Sequence, residues 1–195
     1  MNKPKLTFIV ICLFILPLQF ARAEFELAPK YTIFFTEQQV YQGAGLELRI
    51  PNADLFDFGF FVQGLGATKG VKGYLFDIGL FPRFKYVYDT VDLKFEFYCT
   101  VPLGATYGSH QSVVASGITY PGVNYIPSAG MLIGLLPGVS FGIGQHWSIF
   151  TELGFNYRYL VPSSIRFDAA GSKSIKPDNI HMLGGVWNVG VAFRF

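Results

Sequence analysis

Charge is scarce in this chain. Only 14% of its 195 residues are Asp, Glu, Lys or Arg, against about 25% in an ordinary soluble domain. No basic cluster and no recognised motif stands out, so nucleic acid is not an expected partner. Cysteine is nearly missing, with Cys12 and Cys99 alone. No CxxC and no Cys/His framework can be assembled, so no metal or cofactor is expected. Long apolar runs are also missing beyond the N-terminal segment. The nearest, Ala129 to Ile143, is broken by Gly130, Gly134, Pro137, Gly138 and Ser140. A membrane-spanning helix needs about 20 apolar residues, so a helical membrane protein is excluded. What the chain has in excess is aromatic residues, at 17%, and glycine, at 22 residues.

The first residues read as a targeting signal. Lys3 and Lys5 form a short basic stretch, Leu6 to Leu16 is almost wholly apolar, and Ala21-Arg22-Ala23 offers a small-x-small cleavage site. This is the layout of a secretory signal peptide. Ile11 before Cys12 does not suit a lipoprotein acceptor. Cleavage after residue 23 leaves 24–195 as one domain of 172 residues. The signal removes Lys3, Lys5 and Arg22, so that domain carries 12 basic and 13 acidic residues, a formal charge of −1. Cys99 is then the only cysteine, and no disulfide can close within the chain.

The periodicity in 24–195 is two, the period of a strand. At the C-terminus, Trp187, Val189, Val191, Phe193 and Phe195 share one face, and Asn188, Gly190, Ala192 and Arg194 the other. Working back from Phe195 gives eight strands, at about 180–195, 146–161, 128–143, 91–106, 73–88, 55–66, 42–50 and 25–35. Pro51–Asp54, Asp89-Thr90 and Gly144-Gln145 read as tight turns, and 107–127 and 162–179 as long loops. Pro29, Pro82, Pro102 and Pro137 fall inside these strands, where a missing N–H calls for bulges or different strand limits.

Each strand opposes an aromatic-rich apolar face to a polar one. The polar faces carry Glu26, Lys30, Glu47, Arg49, Asp57, Asp77, Arg83, Lys85, Lys94, Glu96, Glu152, Arg158 and Arg194. Seven cations and six anions nearly balance. Eight strands without a spanning helix cross a bilayer as a closed barrel, with an interior only wide enough for side chains to fill. The thirteen charges would then form a packed lumen network. Adjacency along the chain puts Arg83 or Lys85 opposite Lys94 or Glu96. Alternation alone also fits a soluble lipocalin-like barrel with the faces reversed, but the Gly-x-Trp that such a barrel carries near its first strand is absent.

The terminal strand resembles the C-terminal signal of bacterial outer-membrane barrels. Residues 24–195 resemble the small OmpA/OmpX-type barrels in length, strand count and that last strand. The resemblance implies an all-β, eight-stranded, antiparallel up-and-down barrel in the bacterial outer membrane, with a polar packed lumen and an apolar outer face. It implies outer-membrane lipid as surroundings and the barrel-insertion machinery as a partner, reading Trp187, Val189, Val191, Phe193 and Phe195. The expected role is structural, adhesive or ligand-binding through extracellular loops, without a large open pore. Residues 107–127 supply Tyr107, Val113, Val114, Ile118, Tyr120, Tyr125 and Ile126 for such contacts. A narrow ion channel and a lipid A-modifying enzyme are the other readings. The second is poorly supplied: the His-x-Ser pattern of the lipid A deacylase fails at His181-Met182-Leu183, and Ser109-His110 are adjacent and point apart.

Overall fold

The computed structural model describes residues 25–53, 55–69, 72–89, 94–111, 125–166, 174–175 and 177–195. The segment read as a signal peptide, 1–23, and residues 112–124 of the stretch read as a loop lie outside them. The described residues form β1 (Glu26–Phe35), β2 (Val40–Ala53), β3 (Phe56–Lys69), β4 (Gly73–Asp89), β5 (Lys94–Thr100), β6 (Leu103–Gln111), β7 (Tyr125–Ile143), β8 (Trp147–Pro162), β9 (Ile165–Arg166), β10 (Ser174–Ile175) and β11 (Ile180–Arg194). β5 and β6 are two halves of one barrel stave, both lying between β4 and β7. β9 and β10 pair only with each other. Eight staves remain, each antiparallel to its neighbour in the chain, and β1 closes the ring on β11 through Glu26↔Arg194, Lys30↔Gly190 and Ile33↔Trp187. Closure leaves none of the eight described staves as an open edge, which is what a β-structure needs in lipid.

The tight connections lie at one end with Phe25 and Phe195, whose backbones meet through Phe195 N–H and Phe25 C=O at 2.9 Å. The turn between β7 and β8 depends on Gly144, whose φ of 67° suits a residue without a Cβ. This is the turn end. The opposite, loop end carries the connections β1–β2, β3–β4, β6–β7 and β8–β11.

Alternation decides which face meets which solvent. Outward positions expose Leu46, Phe60, Ile78, Leu80, Phe97, Ile133, Leu135, Ile149, Leu153, Phe155 and Leu183. Between its two rims the outer wall of the described staves carries no Asp, Glu, Lys or Arg; Lys69, exposed at the loop end of β3, pairs with Val40 across a register shift. Aromatic residues flank this band. Tyr86, Tyr88 and Trp147 are exposed toward the turn end, and Tyr74 and Tyr107 toward the loop end. Ile50 shares the outward parity of Leu46 and Leu48 but is only 7% exposed. Thr151 is the polar exception within the apolar face of β8, and it has a partner. Trp187 Nε1 donates to Thr151 Oγ1 at 3.0 Å, and that hydroxyl donates to the Asn188 carbonyl at 3.0 Å. An indole N–H facing hydrocarbon would otherwise lack an acceptor.

Three expectations from the sequence change. The segment 107–127 is not all loop: β6 runs to Gln111 and β7 starts at Tyr125, so Tyr107 lies on the outer wall and Ile126 is buried inside. The prolines are not absorbed by bulges. Register shifts occur only at Val40/Tyr41 and Pro51/Ala53 among the described pairings. Instead the ladder is interrupted at each proline, on one side at Pro29, Pro82 and Pro137 and on both at Pro102. Pro29 stays paired with Leu46 but has no partner on β11, and Pro137 faces Cys99 but has none on β8. Pro102, opposite the stretch after Leu80 that holds Pro82, splits the stave into β5 and β6. The stretch 162–179 also contains strand structure, the short β9–β10 pair.

Candidate functional site

The inward side chains fill the lumen in layers. At the turn end, Arg194 and Arg49 both reach Glu26, at 3.1 and 3.3 Å. Beneath the Arg49 guanidinium, 4.1 Å away, lies the Phe150 ring, packed with Ala28 and Ala192. The middle layer centres on Glu47, which meets Lys30 at 2.8 Å, Arg49 at 2.9 Å and Arg83 at 3.4 Å. Arg83 also reaches Glu152, at 3.3 Å, and stacks on Tyr98 at 4.1 Å. Glu152 accepts further bonds from Thr100 and from Asn188, the latter at 2.7 Å. These contacts join seven of the thirteen charges into one network.

The other six form three pairs. Arg158 meets Asp77 at 2.8 Å, with Gln63 Nε2 donating to the same carboxylate at 2.7 Å. Lys85 meets Asp57 at 2.6 Å, and Lys94 meets Glu96 at 3.3 Å. Arg83 and Lys85 therefore do not pair with Lys94 or Glu96, contrary to the expectation from adjacency. The register sets Arg83 opposite Thr100 and Lys85 opposite Tyr98. In so narrow a barrel an Arg side chain reaches across the lumen more readily than along the hairpin. Arg49, Asp77, Arg83, Glu152 and Arg158 are each at most 1% exposed, whereas Lys94 and Arg194 sit more openly at the turn-end mouth.

Above the Arg158–Asp77 pair the chemistry changes. Phe34, Tyr41, Leu65, Leu75, Leu136, Leu160, Met182 and Val186 form a buried apolar cluster. Arg158 marks the boundary, its guanidinium 4.1 Å from the Phe34 ring. The sequence reading missed this cap. Phe34, Leu65, Leu75, Leu160 and Met182 occupy the same parity as the lumen charges, but being apolar they give no contrast with the outer face.

Inward glycines make room for the large groups. A Cβ on Gly134 would sit 1.9 Å from Asn156 Oδ1, and one on Gly190 would meet the Phe150 ring at 2.5 Å. The pattern of Gly130, Gly134, Gly138 and Gly142 on β7 thus breaks an apolar run because it faces a crowded interior.

At the loop-end mouth a cleft of ≈330 Å³ opens between Thr36–Gln39 with Tyr41 and residues 180–183 of β11. His181 borders it and shares its Nδ1 with the Tyr157 hydroxyl at 2.7 Å, while Asn179 donates to the Tyr159 hydroxyl at 2.6 Å. Ser109 is buried in β6. Among the described residues no group of His, Cys, Asp and Glu could hold a metal ion. Trp187, Val189, Val191, Phe193 and Phe195 follow one another on the outer wall; Phe193 touches Trp147 and Phe195, with ring centres 4.6 and 4.8 Å apart.

No protein-family model matches the sequence, and no curated protein is detectably similar to it. Solved structures do match. The crystal structure of neisserial surface protein A superposes with a TM-score of 0.58 at 15% identity, covering 89% of this chain and 97% of that one. A major outer membrane protein from Thermus thermophilus superposes with a TM-score of 0.53 at 13% identity, covering 89% of this chain and all of that one. With eight antiparallel staves, ions inside and hydrocarbon outside, this chain has the fold of the small eight-stranded outer-membrane β-barrels.

Proposed function

We propose that the protein is a sealed outer-membrane barrel that serves as a rigid anchor and acts through the surface at its loop end. One observation carries this reading: among the described residues the lumen holds paired charges in one half and a buried apolar cluster in the other. An ion crossing it would have to displace paired charges and then enter hydrocarbon, both costly steps. What is left to act is the loop end, which turns outward when the turn end faces the periplasm, the arrangement usual for such barrels. The ≈330 Å³ cleft beside His181 is the part of that surface that could seat a ligand group. The apolar outer wall meets outer-membrane lipid. The last strand, through Trp187, Val189, Val191, Phe193 and Phe195, is the segment the insertion machinery would read, and 1–23 the segment that directs export.

The test uses purified protein refolded into planar bilayers. The expected record is silent, or shows rare small steps. Stable porin-like conductance would overturn the sealed-anchor reading and revive that of a channel. A companion measurement labels a single cysteine placed at Gln38 in a Cys99→Ala background on intact cells; labelling by an impermeant reagent is expected, and its absence would reverse the orientation.

A further inference from the structure

Two buried side-chain carbonyls of the lumen have no protein donor, and the residues that carry them, Asn156 and Asn188, border the same cavity. Asn188 Nδ2 donates to Glu152 Oε2 at 2.7 Å, which fixes the amide and turns its oxygen the other way. That Oδ1 has no hydrogen-bond partner, and neither has Asn156 Oδ1. The two residues are 1% and 3% exposed. Native interiors rarely leave such acceptors unpaired. The cavity that Asn156 and Asn188 border measures ≈10 Å³ and is also faced by Lys30, Glu47, Gln63 and Thr100, with apolar side chains around the rest. That is about the volume one water needs, and a wet site needs polar partners as well as space.

We infer that ordered water occupies this cavity and supplies the hydrogen bonds that Asn156 Oδ1 and Asn188 Oδ1 lack. The ligand must be a small neutral donor. Lys30 beside the cavity disfavours a cation, Glu47 disfavours an anion, and nothing larger than water fits. Water also suits the Lys30 ammonium, which has three N–H groups and gives one to Glu47 Oε1 at 2.8 Å. The site lies between the Glu47-centred network, which contributes Lys30 and Asn188, and the Asp77–Arg158 pair, which contributes Gln63 through its bond to Asp77. Water there belongs to the packing of the plug rather than to a path through it.

A crystal structure of the detergent-solubilised protein, at a resolution that shows other buried waters, tests this directly. Water density within about 3.2 Å of Asn156 Oδ1 or Asn188 Oδ1 is the expected result. A cavity without density, or both carbonyls turned onto protein donors, overturns the inference. NMR in detergent gives a second reading. Cross-relaxation from long-lived water to backbone amides near residues 156 and 188 is expected in the wild type. It should weaken in Asn156→Leu and persist in the control Asp178→Asn. Absence of that cross-relaxation in the wild type overturns the inference equally.

Discussion

The two halves of the lumen solve one packing problem with opposite chemistries. From the turn end to mid-barrel the interior is held by charges that each need a partner, with Glu47 touching three cations. From Arg158 to the loop end it is held by aliphatic and aromatic side chains that need only contact. The ionic half is directional, since a charge moved by one register position loses its partners. The apolar half is tolerant, since its stability follows the volume filled. The two also support each other. The cap keeps bulk water away from the ion pairs, which strengthens their attraction, and the ion pairs fix the register in which the cap residues meet.

The largest break in that comparison is a lost charge in the ionic half. Glu47→Gln keeps the shape but leaves Lys30, Arg49 and Arg83 with too few anions. Removing one partner of a buried ion pair costs about 3–5 kcal/mol, and here three pairs are affected at once. Urea unfolding in lipid vesicles should show a loss in that range for Glu47→Gln and a comparable one for Glu152→Gln. Asp178→Asn, on an exposed residue, should cost no more than about 1 kcal/mol. Equal costs for lumen and loop substitutions would contradict a packed ionic lumen.

In the apolar half the loss should be graded. Leu75→Ala and Phe34→Ala remove different volumes from the same cluster, and buried Leu or Phe truncations cost about 2–5 kcal/mol, rising with the cavity left behind. Leu75→Val should cost less than Leu75→Ala. Neither truncation should open conductance while the ionic half stays intact, because the seals are in series. Combining Phe34→Ala with Glu47→Gln removes both. Bilayer recordings of that double variant should show small steps that each single variant lacks.

These two halves were not equally legible in the sequence. Period-2 contrast is sharp where polar and apolar faces oppose, so the charged half could be read from parity, as could the outer wall. At the loop end both faces are apolar: Phe35 faces out while Phe34 faces in, and Leu183 faces out while Met182 faces in. The contrast there vanishes and with it the signal for a cap. The end of β6 was hidden for the opposite reason, because Ser109-His110-Gln111 is polar and resembles loop. Pairing across the lumen was also out of reach, since Arg83 and Glu152 stand 69 residues apart and meet through barrel closure. Adjacency along the chain carried no such information.

The outer wall offers a smaller test of how a polar group survives in hydrocarbon. Thr151→Val removes the acceptor of the Trp187 N–H and keeps the shape. An unpaired buried donor costs about 1–3 kcal/mol, and part of that should be recovered by Trp187→Phe in the same background. The double-mutant cycle in vesicles should therefore show coupling. Additive losses would mean that Trp187 finds another acceptor.

The smallest change in folding energy is expected at Phe195, where the comparison between inside and outside reaches its limit. Phe195 lies on the outer wall, is 68% exposed, and touches only the Phe193 ring closely among its described aromatic contacts. Its ring sits at the turn-end rim of the wall and packs against little of the protein, so little packing energy rides on it. Its N–H bond to the Phe25 carbonyl closes the last rung of the barrel, and a backbone bond of that kind contributes about 0.5–1.5 kcal/mol. Deleting Phe195 should thus lower the unfolding free energy in vesicles by no more than about that amount. If the last strand is read by the insertion machinery as proposed above, the yield in the outer membrane of living cells should fall much further. A deletion that lowers refolded stability and outer-membrane yield in the same proportion would show that Phe195 acts through folding energy alone. Replacement by Tyr or Trp, which keeps an aromatic ring at the terminus, should restore the yield, whereas replacement by Ser should not.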